Sequence, residues 1–129
     1  MPRYPSPQPT EVELEILHVL WELGPCPLGE IHRAVSGRRE VAYSTTRKMV
    51  QVMRDKGLVQ CDETTRPQHY TASRTRDETQ LGLLDDLVRR AFDGSTQTLV
   101  MSLLSSDRLS AAELAELKKL LREAKGKGS

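Results

Sequence analysis

The stretch AYSTTRKMVQVMRDKGLV, residues 42–59, decides how the rest of the chain is read. Thr46, Met49, Val50 and Met53 fall on one arc when laid out at about 100° per residue, so the spacing predicts a helix with one apolar face. Ser44, Arg47, Lys48 and Gln51 fall on the opposite side, with Thr45 at its edge. Gly57 supplies a left-handed stop. A Ser or Thr suits a helix start because its hydroxyl accepts from a free backbone N–H. Three in a row exceed what one cap requires. The adjacent cations gain nothing from the helix dipole, which favours anions at that end. Both oddities point to a partner outside the helix.

Working outward, two elements precede this helix. Thr10-Glu11-Val12-Glu13 is a capping box, and Val12, Ile16, Val19, Leu20 and Leu23 then recur at helical spacing up to Gly24-Pro25. A short second helix is expected from Leu28 to Ser36, with Ile31 and Val35 inward and Gly37 as its stop. Downstream, LVQCDE (58–63) and QHYTA (68–72) flank the turn TTRP (64–67) and read as a β-hairpin. Val41-Ala42-Tyr43 is the candidate for a short third strand. After Ala72 three amphipathic helices are expected, at about 75–92, 96–105 and from the capping box Ser110–Glu113 to about Ala124. The expected organisation is a disordered Pro-rich arm (1–9), a winged-helix domain (10–72), a helical dimerisation domain (73–125) and a frayed tail (126–129). In fold class the chain is mainly α with a small β-hairpin wing.

Composition narrows the function. The chain has 129 residues, 29% of them charged and 37% hydrophobic, with one Trp, three Tyr and one Phe. No apolar run approaches the roughly 20 residues of a membrane span, and MPRYPSPQP lacks the apolar core of a secretory signal. A cytoplasmic location without membrane attachment is the expectation. Cys26 and Cys61 show no metal-ligand spacing and fit a reducing compartment; no metal or cofactor is expected. His18, His32 and His69 are dispersed, and no nucleophile–base or paired-carboxylate arrangement emerges, so catalysis is not expected.

The formal net charge of +1 conceals an asymmetry. Residues 10–30 carry Glu11, Glu13, Glu15, Glu22 and Glu30 without a Lys or Arg. Residues 31–60 carry Arg33, Arg38, Arg39, Arg47, Lys48, Arg54 and Lys56 against Glu40 and Asp55. Such sorted charge makes a local field that steers polyanions. Helix–helix–helix–hairpin within about 60 residues is the order of a winged helix-turn-helix, whose third helix enters the major groove. Double-stranded DNA is therefore the expected partner. Ser44, Thr45, Arg47, Lys48 and Gln51 are the candidate contacts on the helix, phosphate or guanine for the cations and adenine for Gln51. Arg66 and His69 are candidates at the wing, where an ordinary exposed turn is the alternative. The Arg38-Arg39 pair either approaches the DNA backbone or forms a solvated loop. Leu81, Leu84, Val88, Leu99, Val100, Leu103, Leu114, Leu117 and Leu121 make apolar faces too broad for three small helices to bury alone. A homodimer on a palindromic operator is the economical reading. A protein–protein adaptor with the same fold is the competing one.

Four segments carry a family resemblance: TEVELEILHVLWELGPCPLGEIHRAV (10–35), YSTTRKMVQVMRDKGLV (43–59), a hairpin ending HYTA, and DGSTQTLVMSLLSSDRLSAAELAELKKLL (93–121). Together they resemble the penicillinase repressors (BlaI/MecI type) and their copper-responsive relatives (CopY type). The resemblance implies a winged-helix homodimeric repressor that binds operator dyads through its N-terminal domain and dimerises through its C-terminal helices. It places the recognition helix at Ser44 to Lys56. Two departures bear on release from DNA. The β-lactamase repressors are cut by a membrane sensor protease at an Asn-Phe bond, and the matching pair here is Ser102-Leu103. The copper repressors carry a Cys-x-Cys pair near the C-terminus, and this chain has no Cys after Cys61. The resemblance thus leaves a sensor protease as a candidate partner and the release signal unassigned.

Overall fold

The computed structural model describes residues 8–128, with side chains placed through Ala124. Residues 1–7 of the expected arm lie outside the described residues. Gln8 and Pro9 are half-buried, and the Gln8 carboxamide rests against Gly82, where an added Cβ would come within 3.3 Å of it. The end of the arm is therefore packed rather than disordered.

Helix α1 spans Glu11–Leu23 and opens on the expected capping box: Glu13 N–H donates to Thr10 Oγ1 (3.3 Å) and Thr10 N–H to Glu13 Oε1 (2.9 Å). Its inward face differs in phase from the expectation. Glu13, Ile16, Leu17 and Leu20 are buried, while Leu23 is 58% exposed. Residues 13, 16, 17 and 20 are one i, i+3, i+4, i+7 stripe, and the ion pair made by Glu13 is what lets a carboxylate join it. Gly24 takes φ 78°, a turn that suits glycine. The chain then passes through strand β1 (Cys26–Pro27) into α2 (Leu28–Ser36) and, after a loop, α3 (Tyr43–Asp55). Gly57, at φ 81°, ends that helix as expected and leads to β2 (Val59–Asp62) and β3 (His69–Ala72).

The hairpin is antiparallel, with Val59 opposite Ala72 and Cys61 opposite Tyr70. The third strand is not Val41-Ala42-Tyr43. Tyr43 is the first residue of α3, and Ala42 is its extended N-cap. Instead β1 pairs antiparallel with β3, giving the order β1-β3-β2. Two residues are too short to show alternation, and Pro27, which has no N–H to give a ladder, is tolerated because β1 is an edge. Ile16, Leu17, Leu20, Cys26, Ile31, Val35, Val50, Met53 and Val59 form one core drawn from all three helices and two strands. Each fully buried Ile, Leu or Met side chain there contributes about 1.5–3 kcal/mol.

Three further helices follow: α4 (Arg76–Ala91), α5 (Thr96–Ser105) and α6 (Ala111–Gly128). Their starts are capped locally. Thr75 and Glu78 bond reciprocally, as do Ser110 and Glu113, and Ser95 Oγ accepts from Thr98 N–H. Asp93 and Gly94 take positive φ and separate α4 from α5. Helix α6 continues through Gly128, so the expected frayed tail is helical backbone up to that residue. The chain divides into two compact units, one ending at Leu83 and one beginning at Leu84. No described helix is long and apolar enough to cross a membrane.

Candidate nucleic-acid interface

Helix α3 sorts its side chains sharply. Thr46, Val50 and Met53 are buried, and Met49 packs against the same core. Ser44, Thr45, Arg47, Lys48 and Gln51 are all exposed and lie together on the outer side. Gln51 Nε2 donates to Asp55 Oδ1 one turn on (3.2 Å). The start of α3 has no side-chain cap, because Ala42 stands at the N-cap. None of the three hydroxyls of 44–46 therefore serves as the cap. Thr46 is 0% exposed, and its hydroxyl lies 2.9 Å from His32 Nδ1 on α2.

The cations of residues 31–60 fall into two groups. Arg39 reaches Glu15 at 2.9 Å, Arg54 reaches Glu63 at 2.6 Å and Lys56 reaches Glu13 at 2.7 Å. Among the described residues Arg33, Arg38, Arg47 and Lys48 have no ion-pair partner. The positive segment is thus partly neutralised by the acidic one, and Arg39 is committed to α1 rather than free beside Arg38. The hydrogen bonds to Glu15 and Glu63 raise the Arg39 and Arg54 pKa values further. Burial alone would raise the Glu13 carboxyl. Hydrogen bonds from Lys56 and from the Thr10 backbone outweigh it and hold the group below its ordinary value.

The wing tip is tied internally. Thr64 N–H and Oγ1 both donate to Asp62 Oδ1, which lowers the Asp62 pKa. Arg66 Nη1 donates to the carbonyls of Glu63 (2.8 Å) and Thr65 (3.2 Å), although its side chain is exposed. His69 Nδ1 lies 3.0 Å from Thr65 Oγ1 and 2.9 Å from the Pro67 carbonyl. Both candidate wing residues therefore brace the turn through part of their polar surface.

Between α2, α3 and the wing residues Pro67, Gln68 and Tyr70 runs an open groove of about 680 Å³. Arg33, Tyr43, Arg47, Gln51, Arg54 and Gln68 are among its lining residues. It brings Arg47 and Gln51 together with Arg33, Tyr43, Arg54 and Gln68, none of which is a contact candidate on sequence grounds. Arg33 is visible in the sequence as a cation of the positive segment, but nothing local shows that it faces the same groove as Arg47. Arg33 and Arg47, both exposed and without an ion-pair partner among the described residues, suit a polyanion there, while Arg54 is paired with Glu63 and Glu30 adds one carboxylate to the lining. Among the described residues no group of three or more His, Cys, Asp or Glu side chains could hold a metal ion.

In the second unit apolar side chains remain uncovered. Leu84 is 41% exposed, Leu103 38% and Leu121 52%, joined by Leu87, Met101, Leu104 and Leu120. Helix α5 has no buried residue. Of the other residues expected at a dimer contact, Leu81 is exposed, Leu99, Val100, Leu114 and Leu117 are half-buried, and Val88 is already buried within the chain.

Comparison with known proteins identifies relatives along most of the chain. The chain is 30% identical over 115 residues to "Transcriptional regulator BlaI" of Mycobacterium tuberculosis, covering 88% of this chain and 82% of that one. It is 24% identical over 121 residues to "Penicillinase repressor" of Bacillus licheniformis, covering 94% of each. These relatives are named as regulators, not enzymes. The family profile described as penicillinase repressor matches residues 9–123, and the chain belongs to the penicillinase repressor family.

Proposed function

We propose that this protein is a DNA-binding transcriptional repressor that docks α3 in the major groove, lays the β2–β3 wing along the backbone and binds a palindromic operator as a homodimer. The observation that carries this reading is the contrast among cations. Arg39, Arg54 and Lys56 are spent on internal carboxylates. Arg47 and Lys48 stand exposed beside Ser44, Thr45 and Gln51 on the one face of α3 that makes no core. Arg33, in the last turn of α2, adds a second exposed guanidinium across the groove from Arg47. Arg66 and His69 approach sugar-phosphate from the wing with the polar surface their turn bonds leave over. The leucines exposed on α4, α5 and α6 support pairing with a second copy, because apolar side chains left in water gain free energy when a partner covers them. Proteolysis in the second unit remains a route of release only for a protease that accepts Ser102-Leu103.

The test is a comparison of duplex DNA carrying the protein's own promoter with a random duplex of equal length, at moderate salt. The reading requires tighter binding to the promoter, by on the order of a thousandfold for a specific site. Equal affinity for the two overturns it.

A further inference from the structure

We propose that His32 is a positioning residue for DNA recognition, fixing the angular setting of α3 through the buried hydroxyl of Thr46. The inference rests on the reading of α3 as the DNA-contacting helix. Ser44, Thr45, Arg47 and Lys48 all lie in its first turn and a half. That end lacks a side-chain cap of its own, because Ala42 occupies the N-cap. Beyond its backbone bonds to the Ala42 carbonyl, a side chain of α2 reaches it. His32 Nδ1 is 2.9 Å from Thr46 Oγ1, and its ring meets Tyr43 edge-on at 5.3 Å and 83°. One side chain thus touches both residues that bracket Ser44 and Thr45.

The choice of Thr at a position that is 0% exposed supports this role. A valine would fill nearly the same volume without burying a hydroxyl. A buried hydroxyl needs a partner, and here the partner is on the neighbouring helix. Apolar packing is non-directional and tolerates small rotations of α3 about its axis. A hydrogen bond loses strength as its angle departs from linear, so this contact selects one rotation. The far end of α3 is held by the Lys56–Glu13 pair, which leaves the His32–Thr46 bond to set the end that carries the contact residues.

The experiment uses the full chain with Thr46→Val, His32→Leu, His32→Asn and the Thr46→Val/His32→Leu double variant. Two readouts are taken: the ratio of affinities for promoter and random duplexes across salt, and hydrogen exchange of the Arg47–Val50 amides in the absence of DNA. In Thr46→Val and His32→Leu the affinity ratio should fall by up to about tenfold, the largest loss of the binding-competent setting that removing one intramolecular hydrogen bond allows, with the salt slope unchanged. The amides should exchange faster. The double variant should be no worse than either single one, which is the signature of one shared interaction. His32→Asn, which keeps a hydrogen-bonding atom near the Nδ1 position, should retain most of the ratio. Unchanged amide exchange overturns the proposal, as does an equal loss on both duplexes or an additive double variant. A wild-type protein with no promoter preference sinks the DNA reading instead, while amide exchange still decides whether His32 positions α3. Thr46→Val is nearly isosteric, so the test does not depend on the larger substitution folding well.

Discussion

Ile31 in α2 and Leu103 in α5 are both branched aliphatic residues on amphipathic helices, yet Ile31 is 0% exposed and Leu103 is 38% exposed. The difference holds across the two units. Three helices and a small sheet close a core in the first, with Ile16, Val50 and Met53 at 1% exposure or less. In the second, α5 buries nothing and leucines on all three helices meet solvent. The first unit completes its burial within one chain and can therefore turn α3 outward as a polar working surface. The second leaves leucines on each of its helices uncovered, the surface that the proposed dimer would cover. Amphipathicity predicts that a helix has an apolar face; whether that face is covered by the same chain depends on the tertiary neighbours available.

The largest expected effect lies in the closed core. Ile31→Ala should lower unfolding free energy by about 3–4 kcal/mol, and the loss should be independent of protein concentration in a denaturant titration. In the open unit the effect should instead depend on concentration. Leu103→Asp with Leu121→Asp should raise the dimer dissociation constant at least about a hundredfold, read by sedimentation equilibrium. A wild-type protein that stays monomeric at high micromolar concentration breaks this half of the comparison. Lys56→Met should cost about 1–3 kcal/mol, because it leaves the nearly buried Glu13 carboxylate with only the Thr10 N–H and no cation. Thermal unfolding measures this, with Glu13→Gln/Lys56→Met expected to recover part of the loss. The smallest effect concerns acid. The folded Glu13 pKa is depressed, so its stabilisation is fully present above the unfolded value near 4.3. It is lost as pH falls through the lower folded value. Glu13→Gln should flatten the stability profile in that window, and an unchanged acid limb contradicts the assignment.

Local signals carried much of the fold. The Thr10–Glu13 box, the period of α3, Gly57 and the Thr- and Pro-rich turn each encode structure within a few residues, and each stands where its chemistry places it. What escaped was long-range. Strand β1 is two residues whose identity as a strand comes only from pairing with β3, more than 40 residues later. Glu13 can stand on the inward stripe of α1 because Lys56 pairs with it, a partner 43 residues away. The sorted charge of residues 10–60 was legible as a field, but its partial cancellation through Glu15–Arg39 and Glu13–Lys56 depends on which helices meet. At the candidate site the outward face of α3 was readable from periodicity. Tyr43 and Arg54 stand on the same row of α3 as Arg47 and Gln51, whereas the arrival of Arg33 from α2 and Gln68 from the wing at the same groove was not readable, because it depends on which elements pack together.

The central claim is that the exposed cations of α3 face DNA phosphate or bases. Its most direct test is the salt dependence of binding to the protein's own promoter, comparing wild type with Arg47→Ala/Lys48→Ala. Removing one cation that neutralises a phosphate should reduce the slope of log K against log salt by about 0.9. If both side chains meet phosphate, the double variant should bind with a slope smaller by about 2 and with affinity at least about tenfold weaker. An unchanged slope together with unchanged affinity would contradict the account.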